Sequence, residues 1–295
     1  METKILDGKK TAQDMREEMR LEVISLKEKH NLTPGLAVVL VGENPASVSY
    51  VRGKRKACKK IGIYSREENH PETFTEDKLL SLIKELNHDP TIHGILVQLP
   101  LPKHIDDKKV LYAIDPDKDV DGFHPFNVGK MMIGEDTYLP CTPHGIQQLL
   151  VRNQISIESK HVVIVGRSNI VGKPLAMMLC QKQKHANATV TVCHTRTKDI
   201  GSFTRQADIV IAAAGRPNTV TADMISEGAV IIDVGVNRIE DPTREKGYRL
   251  VGDADFENVC KKASAITPVP GGVGPMTITM LLHNTIKSAK RSRSL

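Results

Sequence analysis

Aromatic side chains make up only 3% of this 295-residue chain, and tryptophan is absent. A surface that stacks single-stranded bases needs such rings, so that class of nucleic-acid binder is disfavoured. The formal net charge of +6 and the pI near 9.0 still allow an anionic partner. The positive charge is spread along the chain, so anionic substrates and cofactors explain it as well as nucleic acid does. Five cysteines (Cys58, Cys141, Cys180, Cys193 and Cys260) are odd in number and none pairs as C-x-x-C. Neither a zinc site nor a disulfide framework is implied, and a reducing compartment fits best. No apolar run approaches the roughly 20 residues that span a bilayer. The N-terminal METKILDGKK has no signal-peptide core, its acids argue against a transit peptide, and the C-terminal KRSRSL is a basic tail and not a Ser-Lys-Leu address. The expectation is a cytoplasmic protein without membrane or nucleic-acid partners.

What is present reads as α/β. The length exceeds the usual single core, so two domains are expected. The stretch from His161 to Pro174, HVVIVGRSNIVGKP, carries an apolar run that ends at Gly166, with a second glycine at Gly172 before Lys173-Pro174. A buried parallel strand feeding a phosphate-holding turn has this form, and the helix beyond would offer free N–H groups and a positive dipole end. The spacing departs from G-x-G-x-x-G, since five residues separate the two glycines. Further strands at ATVTVCH (Ala188 to His194), ADIVIAAAG (Ala207 to Gly215) and GAVIIDVG (Gly228 to Gly235) are separated by helix-length polar segments. That is the rhythm of a doubly wound parallel sheet.

An acid is missing where it would bear on the cofactor. NAD sites usually place Asp or Glu at the end of the second strand, to hold the ribose 2′-hydroxyl. Here the chain reads Cys193-His194-Thr195-Arg196-Thr197. Arg167, Thr195 and Arg196 suit a 2′-phosphate, which favours NADP; the alternative is that Arg196 is a solvated loop charge.

The first half alternates similarly. A helix is expected over Lys10 to Lys29, a strand over Leu36 to Val41, and a helix from Asn44 as N-cap with Pro45 at N1. A strand around Ile61 to Ser65, a helix over Glu76 to Leu86 and a strand from Gly94 to Gln98 follow. Pro140 to Gly145 reads as a linker into a helix, Ile146 to Arg152. After the Pro/Gly-rich segment Thr267 to Pro275, a last helix (Met276 to Lys290) is expected to pack back onto the first domain, which would bring both hinge segments to one cleft.

Tyr50 and Lys54 are four apart on the helix after Asn44 and share a face. A lysine in a partly apolar cleft can move protons near neutrality, although Lys54 also sits among Arg52, Arg55, Lys56, Lys59 and Lys60, as a solvated face would. Gln98 ends an apolar strand, where α/β sheets open into their ligand crevice; a strand-end cap is the plainer role. Asp117, Asp119 and Asp121 alternate but lack the spacing and terminal Glu of a calcium loop, so no metal is expected. A carboxylate orienting a ligand with several N–H groups suits Asp121 better.

Together these blocks resemble the bifunctional methylenetetrahydrofolate dehydrogenase/methenyltetrahydrofolate cyclohydrolase family. They run in order through nearly the whole chain: NPASVSYVRGKRKACKKIGI from Asn44, GILVQLPLP from Gly94, DKDVDGFHPFNVGK from Asp117, PCTPHGI from Pro140, VGRSNIVGKP from Val165, ADIVIAAAG from Ala207, VIIDVGVNR from Val230 and TPVPGGVGPMT from Thr267. The resemblance implies a folate-binding catalytic α/β domain (residues 1–143 and 270–295), an inserted Rossmann-like NADP domain (144–269), an active-site cleft between them, and a homodimer. It implies Tyr50 stacking on the folate's aminobenzoyl ring, Lys54 as the main acid–base group, Gln98 tuning it and Asp121 on the pterin. Val97, Leu99 and the loop Pro270, Gly271, Gly272, Val273, Gly274, Pro275 and Thr277 would complete the folate site, for substrates that include polyglutamylated forms. Gly166, Arg167, Ser168, His194, Thr195 and Val236 would hold NADP. In 5,10-methylenetetrahydrofolate a nitrogen lone pair can push hydride onto NADP⁺ without an obligatory general base, so alignment is the protein's main task there. Hydrolysis of the methenyl cation to 10-formyltetrahydrofolate needs proton transfer, for which Lys54 is the candidate. Thr195 stands where many members have Ser, a change that keeps the hydroxyl.

Overall fold

A computed structural model describes residues 2–244 and 247–295, and the chain forms two compact units. One comprises Gln13–Cys141 and Ile278–Leu295; the other comprises the chain up to Ala12 together with Thr142–Thr277. The boundaries fall inside helices α1 (Gly8–His30), α6 (Cys141–Arg152) and α10 (Val273–Arg291).

The first unit is built on a three-stranded parallel sheet, β2 (Gly35–Val41), β3 (Tyr64–His70) and β4 (Gly94–Val97), in the order β3-β2-β4. The central strand GLAVVLV is buried along its whole length, so both sheet faces are covered, as parallel sheets require. Ala37, Val39 and Val41 on one face pack with Ile95 and Val97 against Leu79, Ile83 and Leu86 of α3 (Glu76–His88) and Val110 of α4 (Asp107–Ala113). Helix α2 (Pro45–Ile61) begins where Asn44 Oδ1 accepts the N–H of Ser47, so Asn44 does cap it. It ends at Ile61, and Gly62 then turns the chain at φ +87°. The strand expected at Ile61 to Ser65 is therefore displaced to Tyr64–His70. Its charged sequence hid it: an edge strand with one paired side needs no apolar run. A short helix α5 (Pro125–Ile133) is capped by the His124 ring, which accepts the N–H of Phe126.

The second unit contains a six-stranded, all-parallel sheet. Its strands are β1 (Lys4–Ile5), β5 (His161–Val165), β6 (Thr189–Cys193), β7 (Ile209–Ala212), β8 (Val230–Asp233) and β11 (Ala265–Ile266), in the order β1-β11-β8-β7-β5-β6. From β5 the chain moves out to β6 at the edge, then returns past β5 to β7, so the switch point lies between β5 and β7. Ligands of open α/β sheets bind outside the strand C-termini at such a point. A hairpin of β9 (Asn237–Glu240) and β10 (Tyr248–Val251), a 3-10 turn (Ala222–Met224) and the helices α6, α7 (Gly172–Leu179), α8 (Ile200–Thr204) and α9 (Phe256–Val259) complete it. Val163, Val210, Ile231 and Ile266 from four strands lie in one apolar core with Val220, Ile225 and Val259.

The division differs from the sequence expectation at three places. The first residues join the nucleotide-type sheet, because β1 pairs in parallel with β11 and Lys9 N–H reaches Gly271 O at 3.0 Å. Pro140 to Gly145 is not a linker, since α6 starts at Cys141 with Pro143 in its first turn, where a missing N–H costs nothing. Likewise Val273–Thr277 are the opening of α10 rather than a loop, with Pro275 third in the helix and Pro270–Thr277 falling in the second unit.

Candidate active site

In the first unit Tyr50 and Lys54, four apart on α2, share a face but differ in burial. Tyr50 is 39% exposed, presenting its ring to solvent, whereas Lys54 is only 7% exposed. The Lys54 ammonium donates to Gln98 Oε1 at 2.9 Å. Gln98 is the first residue beyond β4, anchored by its N–H to Val39 O at 2.9 Å. Its amide nitrogen donates to Leu99 O at 2.7 Å, which turns the amide oxygen toward Lys54. A cis peptide joins Leu99 to Pro100. Val97 is buried in the sheet core, so its side chain packs rather than lining a surface.

Burial lowers the pKa of Lys54, because a low-polarity setting penalises the ammonium, and the Asp121 carboxylate pulls it partly back up. The same pair acts on Asp121 with opposite sign: burial raises its pKa and Lys54 opposes the rise. The turn bearing Asp121 is held by neighbours. Asn284 of α10 donates to Val120 O at 2.8 Å and Leu139 O at 2.9 Å, and the Cys141 thiol donates to Val120 O at 3.4 Å. Asp119 is not a ligand-facing group. Its carboxylate accepts from the N–H groups of Phe123 and His124 and from the Asn127 amide, so it shapes the turn.

Cys141 escaped the reading of the sequence. Its thiol is buried, with a pKa pushed well above the ordinary value by burial and by Asp121, and it stays neutral beside that carboxylate. Cys58, one turn beyond Lys54 on α2, is likewise neutral, its thiol pushed up to about 12. The block PCTPHG gave no hint of this, because its prolines pointed to a linker and its lone cysteine matched no pairing pattern.

In the second unit the loop between β5 and α7 packs tightly between strand and helix. Gly166 adopts φ +139°, and a Cβ there would fall 2.1 Å from Ala213 O beyond β7. A Cβ on Gly172 would fall 2.1 Å from Gly166 O, so the two glycines allow strand, turn and helix to close on one another. The helix start is less open than its sequence suggests. Ser168 Oγ accepts the N–H groups of Val171 and Gly172, Ser168 O accepts that of Lys173, and Pro174 has none. The free helical N–H groups expected for a phosphate are thus largely taken within the loop, while the Ser168 hydroxyl keeps its own proton to donate. Val165 pairs with Cys193 across β5 and β6, and beyond these strand ends Arg167, Thr195 and Arg196 are all exposed. His194 Nδ1 accepts the Arg196 N–H at 3.1 Å, and the His194 backbone N–H donates to Thr197 Oγ1 at 2.9 Å, which fixes this turn. Val236, beyond β8, is 50% exposed. The residues Pro270 to Thr277 belong to this unit, where the Thr277 hydroxyl lies 3.0 Å from that of Thr142.

Two family patterns match the chain: "Tetrahydrofolate dehydrogenase/cyclohydrolase, catalytic domain" over residues 6–121 and "Tetrahydrofolate dehydrogenase/cyclohydrolase, NAD(P)-binding domain" over residues 140–293. The chain belongs to this family. It is a tetrahydrofolate dehydrogenase/cyclohydrolase, and the unit with the six-stranded sheet carries its NAD(P)-binding domain. The bifunctional protein FolD of Syntrophus aciditrophicus is 60% identical over 291 residues, covering 99% of each chain. Among solved structures, the FolD methylenetetrahydrofolate dehydrogenase/cyclohydrolase of Campylobacter jejuni is 52% identical with a TM-score of 0.92, covering 98% of this chain and 99% of that one. The Trypanosoma brucei FolD, complexed with NADP cofactor and inhibitor, is 40% identical with a TM-score of 0.94 over 100% of both chains. No described helix is long and apolar enough to cross a membrane.

Proposed function

We propose that this protein oxidises 5,10-methylenetetrahydrofolate with NADP⁺ and hydrolyses the 5,10-methenyl product to 10-formyltetrahydrofolate, with Lys54 as the acid–base group of the second step. The observation that carries this reading is the part-buried Lys54–Gln98 hydrogen bond, with Asp121 as the charge that tunes the lysine. Hydrolysis of a methenyl cation needs a base to take a proton from attacking water and an acid to return one to the departing ring nitrogen. A lysine whose pKa is lowered by burial can do both in turn. Gln98 is a neutral acceptor, so it aims the amine without trapping it as a cation. Tyr50, half open to solvent on the same helix face, supplies a flat surface for the aminobenzoyl ring, and Asp121 accepts the pterin's N–H groups. Leu99 adds to the folate contacts of this unit in this reading, while the segment Pro270 to Thr277, with the helix start now included, belongs to the other unit.

NADP⁺, when bound, supplies the hydride acceptor. The residues present fit it: the Gly166–Gly172 cradle admits no side chain, and the β6 end bears Thr195 and Arg196 in place of an acid. Arg167, Ser168, Thr195 and Arg196 would bind the 2′-phosphate, with His194 shaping their turn and Val236 lying against the nicotinamide side. The protein in this reading is a homodimer acting on folates that include polyglutamylated ones. The dimer is supported by β6, a sheet edge whose Val192 is 36% exposed. Five free cysteines support a reducing, cytoplasmic setting.

The test follows absorbance as purified protein meets 5,10-methylenetetrahydrofolate with NADP⁺ or NAD⁺ in separate runs. Reduced cofactor forming preferentially with NADP⁺, and methenyl signal decaying to 10-formyl product, is the expected result. Cofactor reduction with a persistent methenyl signal contradicts the hydrolase half, and faster reduction with NAD⁺ contradicts the cofactor choice.

A further inference from the structure

Two buried carboxylates of the NAD(P)-binding unit have no part in the chemistry above. Asp233 ends β8 and Asp253 follows β10, and they are 2% and 0% exposed. Their partners are mostly backbone N–H groups. Asp253 Oδ2 accepts those of Ala214 at 2.7 Å and Gly215 at 2.8 Å, just beyond β7, while Oδ1 accepts the Asn237 amide at 2.8 Å. Asp233 Oδ1 accepts the N–H groups of Gly235 at 3.2 Å and Asp253 at 2.8 Å, and Oδ2 accepts that of Ala254 at 2.9 Å. The two side chains thus form a continuous link between the loops that leave β7 and β8, neighbouring strands of the sheet.

The fit is close. A Cβ on Gly235 would fall 2.0 Å from Asp253 Oδ1, and one on Gly252 would fall 1.8 Å from Asp233 Oδ2. Two like charges buried together oppose stability, and burial pushes the Asp233 carboxyl up to about 6 despite its three N–H bonds. What the arrangement provides is position. Val236 lies between Gly235, held by Asp233, and Asn237, held by Asp253, so its backbone is fixed on both sides.

We infer that Asp253 and Asp233 are positioning residues for the nicotinamide cofactor, fixing the loops Ala214–Gly215 and Gly235–Asn237 that it rests against. This rests on the proposed role of Val236 and of the strand C-termini in holding NADP. Preorganised loops bind with less ordering cost, so loosening them weakens cofactor affinity before it affects chemistry elsewhere.

The test uses Asp253→Asn in the full chain. An asparagine must point its NH₂ either at the Ala214 and Gly215 N–H groups, donor against donor, or at Asn237, whose amide must then flip and give up its bond to Gly252 O. NADP⁺ affinity is measured by calorimetric titration, and hydrolysis of supplied methenyltetrahydrofolate, which consumes no NADP⁺, serves as the second readout. The Kd for NADP⁺ is expected to rise at least about tenfold more than the hydrolysis rate falls, the scale of one or two lost buried hydrogen bonds to a charged group. Asn237→Ala keeps both carboxylates and decides the matter if the first variant does not fold; a Kd rise of about two- to fivefold is expected. Folded variants with wild-type NADP⁺ affinity overturn the inference, as does an equal loss in both readouts. Wild-type protein that binds no NADP⁺ overturns the cofactor reading itself, a result distinct from either.

Discussion

Lys54 and Gln98 meet across the first unit through a single 2.9 Å hydrogen bond in which the amine donates and the amide oxygen accepts. The acceptor is neutral, and that matters for a lysine already lowered in pKa by burial. Replacing Gln98 by Glu sets an anion beside the amine and favours the ammonium. The rising limb of the cyclohydrolase pH–rate profile should then move to higher pH, and hydrolysis at neutral pH should fall about tenfold for every pH unit that the limb moves. Asp121→Asn should move it the other way, since that carboxylate holds the Lys54 pKa up. Profiles of both variants that coincide with wild type would contradict proton transfer by Lys54.

Arg196 is the exposed cation at the end of β6, where an acid would suit NAD. Arg196→Asp is expected to lower kcat/KM for NADP⁺ by about 10- to 100-fold, the scale of one charge-assisted hydrogen bond plus the new repulsion. The value for NAD⁺ should change far less. Steady-state kinetics with each cofactor check this, and equal losses with both would place Arg196 outside the phosphate contact.

Gly166 leaves no room for a side chain against Ala213 O. Gly166→Ala should cost about 1–3 kcal/mol of stability through overpacking and weaken NADP⁺ binding, because the cradle must open. A denaturant titration and a cofactor titration measure the two effects; an unchanged midpoint would mean that the loop relaxes freely.

Much of the fold was legible in the sequence wherever burial was complete. The runs at Val162–Val165, Ile209–Ala212 and Val230–Ile232 are apolar because parallel strands are covered on both faces, and each became part of a strand of one sheet. Strand β3 was misplaced because SREENH gains its order from pairing with β2 alone, with an ion pair Arg66–Glu68 along the strand and another from Arg66 to Glu85 of α3. Prolines hid two helix starts, at Cys141 and Val273, since a first-turn proline reads locally like a loop residue. Lys54 and Gln98 could be singled out from helix spacing and strand end, but their association followed only from the family resemblance, because the bond spans 44 positions. The Asp233–Asp253 link is invisible for the same reason: DVG and GDAD carry no local pattern that says two acids will share backbone donors.

The most direct measurement supplies 5,10-methenyltetrahydrofolate to Lys54→Met and follows the decay of its absorbance, with NADP⁺ affinity determined on the same preparation. Loss of one general acid–base group predicts hydrolysis slower by about 10²- to 10⁴-fold, in protein that still binds NADP⁺ through its other unit. Hydrolysis at the wild-type rate in that variant would contradict the assignment of Lys54, and with it the account of how this site turns over its substrate.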